Sequence, residues 1–321
     1  MKREFRLSAA TLLAFAICIS ACNKGGGDTP TPPGPDYNRE LPNVAELAAK
    51  ASIIQSVASS RAITITEGVS ETDLTVTLTS GFKENIFIIT ADLDRPDIYA
   101  RVAIPSNRFT IPTGAWPRQT LSKMATFIES EEESVVAMVN ADFWNTKTFT
   151  PRGPVHCDAF IMNSKFEASG NKQGISFVSC SSEDKMCIDY SASYTTESFD
   201  LPNVTGSGLM LAWDGKQVDN SSWPADDRHP RTAIGYSKDG FVYLFCVDGR
   251  DEGVSEGMTY DDMGSIFEAI GCDRAVNLDG GGSTQMLARN PSSSALEIRN
   301  KPSDGEERAV INAWAIIKKL Q

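Results

Sequence analysis

Histidine is almost missing from this chain. Its 321 residues include two, His156 and His229. A three-histidine zinc site is therefore impossible, and any Ser-His-Asp triad would have to use one of the pair. No two cysteines stand as C-x-x-C, which removes zinc ribbons and thioredoxin-like motifs. Positive charge is also scarce: 30 lysines and arginines face 42 aspartates and glutamates, a formal charge of −12. So acidic a chain repels phosphate backbones, and general nucleic-acid binding is not expected. What is present is ordinary for a globular protein, with 41% hydrophobic and 22% charged residues. That composition excludes a wholly disordered chain, a collagen and a multispan membrane protein. The length suits one large domain or two modest ones.

The first residues read as an address. Lys2, Arg3 and Arg6 form a positive start, and an apolar run from Leu7 to Ile19 follows, interrupted by Ser8 and Thr11. It has the length of a signal-peptide core and falls short of a membrane span. Ile19-Ser20-Ala21-Cys22 resembles the bacterial lipobox, whose cysteine is lipidated and becomes the first residue of the mature protein. The expectation is a signal peptide over 1–21, lipidation at Cys22, and a tether over 22–39 rich in glycine and proline. Such a protein is lipid-anchored in the bacterial cell envelope, at the outer membrane, on its periplasmic or surface face. Five cysteines remain: Cys157, Cys180, Cys187, Cys246 and Cys272. Five is odd, so at least one is unpaired. The spacing of Cys180 and Cys187 permits a small disulfide loop, whereas Cys246, inside an apolar strand, reads as a buried small hydrophobe.

Periodicity points to many strands and few helices. A helix is expected after Asn43, with Glu46 as capping partner and an apolar face of Val44, Leu47, Ala48, Ala51 and Ile54. Strands are expected over 74–79, 85–90 and 97–104, then a helix after Thr120 and a strand over 135–139. Residues 163–225 read as short strands and long loops. The run Phe241–Val247 is apolar throughout and predicts a central strand. The clearest helix is Tyr260–Ile270, with Thr259 as N-cap, Asp261 and Asp262 at its positive end, and Gly271 just past its close. Strands Ala275–Leu278 and Ala309–Ile317 complete the pattern. Elements that do not strictly alternate argue for an α+β fold with mixed, largely antiparallel sheets flanked by a few helices. The expected organisation is an N-terminal α+β region over 40–117 and a second domain over 118–321.

Four clusters carry chemistry. Asn277-Leu278-Asp279-Gly280-Gly281-Gly282-Ser283 follows a strand. Three consecutive glycines are costly in regular structure, but they let backbone amides approach an anion or sugar phosphate. The bland alternative is a glycine-rich turn with a solvated aspartate. Asp248-Gly249-Arg250 ends the central strand, and Arg250 offers a planar fork for phosphate or carboxylate. Gly253-Val254-Ser255-Glu256-Gly257 matches the nucleophile elbow of hydrolases. The order is wrong for that fold, because no histidine follows Ser255. A convergent triad through His156 or His229 is left open. Asn140-Ala141-Asp142-Phe143-Trp144, followed by Pro151-Arg152-Gly153, sets carboxylate and amide beside an aromatic pair, either a sugar platform or core plugs. His229-Pro230-Arg231-Thr232 opens a strand.

Taken in chain order, N-A-D-F-W with P-R-G, R-T-A-I-G, F-V-Y-L-F-C-V-D-G-R, G-V-S-E-G-M-T and N-L-D-G-G-G-S, the clusters resemble the phosphodiester glycosidase family, over about residues 118–318. The family's commoner N-G-G-F-F is replaced here by N-A-D-F-W, with Ala141 and Asp142 in place of two glycines. The change bears on substrate identity more than on reaction class. The resemblance implies hydrolysis of the bond between a sugar's anomeric carbon and phosphate in a sugar phosphodiester or phosphorylated glycan, of the GlcNAc-1-phosphodiester kind. It implies phosphate contacts from Arg231, Arg250 and the amides of Gly280, Gly281 and Gly282. Asp279, Asp248 and Asp142 are the implied carboxylates, as acid/base and as nucleophile or base. Asn140, Gly153, Thr232, Gly249, Ser255, Gly257, Asn277 and Ser283 also match the family pattern. On this reading Asn140, Arg231, Asp248 and Asp279 line one cleft, and Asp279 matters most. No cofactor is required and a divalent cation such as calcium is left open. Asp92, Asp94 and Asp97 lack the glycine and terminal glutamate of a calcium loop. The alternative function is a lipid-anchored carbohydrate-binding protein with the same fold and no catalysis.

Overall fold

The computed structural model describes residues 39–170, 172–223 and 227–320. The lipidation and tether expected at Cys22 and over 22–39 lie outside the described residues, Arg39 apart.

The strand Phe241–Val247 shows how the fold is layered. It is hydrophobic at every position because both of its faces are covered. Val242, Leu244 and Cys246 face one core, with Ile89, Val276 and Trp314. Phe241, Tyr243, Phe245 and Val247 alternate with them and face a second core, with Met263, Ile266 and Phe267 of the helix Tyr260–Ala269. Phe245 and Phe267 rings lie 5.4 Å apart. The helix starts where its cap predicts. Thr259 Oγ1 accepts the Asp262 N–H, Asp262 returns the bond to the Thr259 N–H, and Gly271 follows the C-cap at φ +81°.

This strand sits inside an eight-stranded sheet. The order is Ile54–Thr66, Val69–Leu78, Lys83–Asp92, Phe241–Val247, Arg231–Tyr236, Arg274–Asn277, Met210–Trp213, Lys216–Gln217. A five-stranded sheet joins Leu296–Ile298, Met286–Arg289, Glu133–Asn140, Ala313–Lys319 and Ile98–Ala103. The other five-stranded sheet is built from the 155–208 region. Every pairing between these strands is antiparallel. With three α-helices among the described residues, the fold is α+β. Strands from 54–103 are woven into the sheets that hold 133–319.

Three local expectations need correction. The first helix stops at Ala48, and Ile54 opens a strand instead of closing the helical face. The Thr79 N–H takes the Ile53 carbonyl at 2.8 Å and pulls the segment into the sheet. The last strand is Ala313–Lys319 and starts later than expected, because the side-chain oxygen of buried Asn312 is turned inward, where it accepts the Asp142 N–H at 2.9 Å. Cys180 and Cys187 are free, like the other three described cysteines. Ser179 stands opposite Cys187 and Cys180 opposite Met186. That one-residue offset turns the two thiols to opposite faces of the sheet.

Candidate active site

Antiparallel pairing gathers distant motifs at one end of the large sheet. Arg231 stands opposite Val247, and Ala233 opposite Asn277. The start of one strand therefore meets the ends of its two neighbours. Asn140, closing Glu133–Asn140 in another sheet, reaches the same place. The Asp279 N–H donates to the Ala141 carbonyl at 2.9 Å and joins the two sheets there.

Asp279 is half-buried and belongs to the walls of two cavities, of about 280 and 290 Å³. Its Oδ2 accepts the Trp144 indole N–H at 3.1 Å and its Oδ1 the Gly280 N–H at 3.1 Å. Burial pushes the carboxyl up to about 6, against the pull of Ser283, Arg308, Trp144 and Gly280. It is therefore ionised at neutral pH and protonates just below it.

Asn140 and Thr232, matched as ligand-binding positions, are both buried. Asn140 Nδ2 donates to the Asp279 carbonyl at 2.6 Å, and its Oδ1 accepts the Thr232 hydroxyl at 2.7 Å and the Gln285 N–H at 3.2 Å. They hold the backbone of Asp279 and line neither cavity. Asn277 is buried too, with its Oδ1 unpartnered.

Two of the three glycines make room for neighbouring arginines, and two of their three N–H groups are already bonded within the protein. Gly280 N–H is taken by Asp279, and Gly281 N–H by the Pro230 carbonyl at 2.8 Å. A Cβ on Gly281 would meet the Arg250 guanidinium, and one on Gly282 would overlap that of Arg308. Bare backbone lets the guanidinium groups of Arg250 and Arg308 approach the chain just after Asp279. Arg308 also donates to Ser283 Oγ at 3.3 Å and pairs with Asp304. Arg250 sits at φ +62°, a conformation costly for a residue with a side chain. Among the described residues it has no ion-pair partner.

Arg231 is buried and rigid. Its guanidinium donates to the Met258 carbonyl at 3.1 Å, the Tyr260 hydroxyl at 2.8 Å and the Asp227 carbonyl at 2.7 Å. Two of its five N–H groups remain for the 280 Å³ cavity, which Phe143, Lys172, Asp227, His229, Arg250, Tyr260 and Asp279 also line. The second cavity adds Trp144, Arg152, Ser283 and Arg308.

Asp142 lies behind this wall, buried, with Oδ2 accepting the Gly153 N–H at 3.0 Å and Oδ1 unpartnered. Burial pushes its carboxyl well above the ordinary range, and the charge of Asp279 pushes it the same way. Burial thus raises both carboxyls, and Asp142 is raised further by the charge of Asp279 beside it. Gly153 is needed because its Cα presses on Gly206, and a Cβ at either would overlap the other's backbone.

Asp248 departs from expectation. Its carboxylate accepts the Lys301 N–H at 2.8 Å and Asn300 Nδ2 at 3.3 Å. It anchors the 300–301 turn and lines neither cavity around Asp279. Burial pushes it up to about 6 as well. Gly249 and Gly257 are packed against Pro230 and the His229 backbone. Ser255 Oγ accepts the Asn85 N–H and lies 3.0 Å from Glu84 Oε2, deep in the core. His156 bonds Tyr194 and the Leu201 carbonyl. The described residues therefore hold no Ser255–His contact. Asp92 and Asp94 pair with Arg39, and Asp97 with Arg95.

Lys172, Asp227, Tyr260 and Arg308 were missed by sequence reasoning. Tyr260 reads there as the first residue of a helix, and the other three stand in polar stretches without periodicity. His229, next to Arg231, carried the one usable signal.

Residues 133–317 match the family model for phosphodiester glycosidases. The chain belongs to that family. A stretch of 117 residues is 43% identical to the SPbeta prophage-derived uncharacterized protein YomE of Bacillus subtilis, covering 36% of this chain and 17% of that one. The match thus spans about a sixth of that relative's length. Among solved structures, the catalytic domain of zebrafish N-acetylglucosamine-1-phosphodiester alpha-N-acetylglucosaminidase, auto-inhibited by its pro-peptide, superposes with a TM-score of 0.57. The two are 16% identical, over 80% of this chain and 87% of that one. A hypothetical protein from Synechocystis gives a TM-score of 0.54 at 18% identity, over 81% and 64% of the two chains. At such identities the likeness is one of fold. In this member of the family, the matched segment carries Asn140, Arg231, Arg250 and Asp279 together, whereas the strands over 54–103 precede it.

Proposed function

We propose that this phosphodiester glycosidase hydrolyses the bond between the anomeric carbon of a sugar and a phosphate oxygen. Its substrates are sugar phosphodiesters of the GlcNAc-1-phosphodiester kind, on cell-envelope or environmental glycans. One observation carries the reading. In a chain of charge −12, an ionised, half-buried carboxylate is flanked by Arg231, Arg250 and Arg308 where two cavities meet. Arginine forks suit phosphate oxygens, and a carboxylate beside them suits attack at an anomeric carbon or activation of water. Phosphate leaves readily without strong protonation, so one carboxylate suffices. Asp142, buried behind Asp279, holds the Gly153 N–H and steadies that wall. The reading requires no cofactor, and the EDTA arm of the test below decides whether a divalent cation such as calcium takes part.

The test is incubation of the protein with UDP-N-acetylglucosamine. Free N-acetylglucosamine and UDP are expected, with EDTA making no difference. Binding of the sugar nucleotide without release would favour the carbohydrate-binding alternative. Arg250→Ala removes a cation with no other partner. A charge-assisted bond of about 1.5–3 kcal/mol translates into a KM raised about 10–100-fold, and added salt should raise the KM of the parent protein in the same direction.

Envelope attachment is part of the proposal and rests on the lipobox-like string ending in Cys22 and the Gly/Pro-rich stretch after it. Cys22→Ala is expected to move the protein from the membrane to the soluble fraction. Retention in the membrane would remove the anchor from the account.

A further inference from the structure

His229 has a feature that the hydrolysis described so far does not use. Its ring is half-exposed, and Nε2 lies 2.9 Å from Asp227 Oδ1. An ionised carboxylate only accepts, so Nε2 carries the proton and Nδ1 keeps its lone pair. Among the described residues Nδ1 has no hydrogen-bond partner. The other carboxylate oxygen of Asp227 takes the Lys172 ammonium at 2.7 Å, which fixes Asp227 from the opposite side. The backbone of His229 is pinned as well. Its carbonyl accepts the Met258 N–H at 3.1 Å, and Gly257, at φ +96°, lets the 248–257 loop press directly against it.

The ring lines the same 280 Å³ cavity as Asp279, Arg231 and Arg250. Six charged or titratable groups share this cavity with it. Asp227 stands two residues before it, Arg231 opens the next strand, Arg250 comes from the loop after Phe241–Val247, and Lys172, Tyr260 and Asp279 complete the wall. Burial and the two arginines hold the imidazole below its ordinary range, and Asp227 opposes them. The neutral form therefore prevails at pH 7. A fixed tautomer, an unpartnered ring nitrogen and a shared cavity with an ionised aspartate describe a base awaiting a proton.

We propose that His229, oriented by Asp227, is the base that takes a proton from the water that ends on the anomeric carbon. The assignment rests on the hydrolysis proposed above. In that step the water oxygen forms its bond to the anomeric carbon. The bond from that carbon to the outgoing oxygen breaks, and its electron pair leaves with that oxygen. The outgoing oxygen belongs to the phosphate, or to Asp279 if the aspartate has displaced the phosphate first. The water proton passes to Nδ1 and then to solvent, and nothing is oxidised or reduced. Asp227 is a positioning residue, and the arginines hold the phosphate.

The experiment uses the full chain with UDP-N-acetylglucosamine as probe, and compares the parent protein with His229→Gln, His229→Ala and Asp227→Asn. His229→Gln should lower kcat by about 10²–10⁴-fold, with KM and Tm little changed. Added imidazole should restore part of the turnover of His229→Ala and nothing to Asp279→Asn. Asp227→Asn should lower kcat because the tautomer is no longer held. Full kcat in His229→Gln overturns the assignment while the hydrolysis stands. Loss in both histidine variants that tracks a fall in Tm, with no imidazole rescue, overturns it as well. If the parent protein releases no sugar, both readings fall.

Discussion

Asp279→Asn is expected to keep the fold and to lose about 10²–10⁴-fold in turnover. The exchange is nearly isosteric. An asparagine carbonyl oxygen still accepts one of the two bonds now made by Trp144 and Gly280. The other bond is lost, at a cost of about 1 kcal/mol. Against this, Asp279 is a half-buried acid with its carboxyl raised to about 6. In such a group the folded state binds its proton more tightly than the unfolded chain does. Ionisation therefore costs stability as pH rises from the ordinary aspartate range through 6. Asparagine removes that cost, so Tm at pH 8 should be equal or slightly higher. Activity moves the opposite way. The parent kcat should fall as pH drops below 6, because the attacking or water-activating form is the carboxylate. Calorimetry beside steady-state kinetics checks both, and a stable, fully active Asp279→Asn protein would refute the role of Asp279.

Stability should decline above neutral pH, and Glu84→Gln should abolish much of that decline. Glu84 is fully buried. Its Oε2 accepts the Gly257 N–H at 2.8 Å and lies 3.0 Å from Ser255 Oγ, while Arg228 stands 3.7 Å from Oε1. Burial outweighs these partners and pushes the carboxyl up to about 8. The folded value exceeds the unfolded one, so the folded state binds more protons between them. The sign is then fixed: the contribution of Glu84 is fully present at acid pH and is lost as pH climbs from about 4.5 to 8. The loss amounts to up to about 5 kcal/mol by pH 9. Glutamine accepts the same Gly257 bond and never ionises. Urea midpoints of both proteins at pH 5, 7 and 9 should diverge steadily, the variant gaining. Parallel curves would show that Glu84 is already charged in the native protein. The loop concerned, 248–257, is the one that carries Arg250 to the cavity, so its loosening at alkaline pH should also raise KM.

Much of this architecture is legible in local patterns. Thr259 with Asp261 and Asp262 announces a helix start, because the cap, the acids and the dipole all act within one turn. Phe241–Val247 announces a central strand, because only a strand covered on both faces is apolar at every position. Asn277 and Asp279 show where such reading stops. Equal strand parity predicts that they face the same way, yet the strand ends at Asn277. Past that point the chain bends, so Asp279 reaches the cavities while Asn277 stays in the core. Asp248 misled for a related reason. It stands one residue past a strand end, and a side chain there is directed by whichever segment packs beside it. Here that segment is Asn300–Lys301, some fifty residues away in the chain.

The sequence by itself determined the sheet-rich class, the capped helix and the family, and it singled out the segments around Asn140, Arg231, Arg250 and Asp279. Each of these depends on residue type and short spacing. Only the tertiary structure decided which polar residues serve the site and which serve the fold. Asn140 and Thr232 turned out to hold the backbone of Asp279, the triple glycine to bed two arginines, and Ser255 to bond in the core. Asp227, Lys172 and Arg308 joined the cavities from stretches with no pattern of their own. The physical reason is that a polar side chain's role depends on what desolvates it and what partners it finds. Those neighbours arrive through antiparallel pairing of strands far apart in the chain.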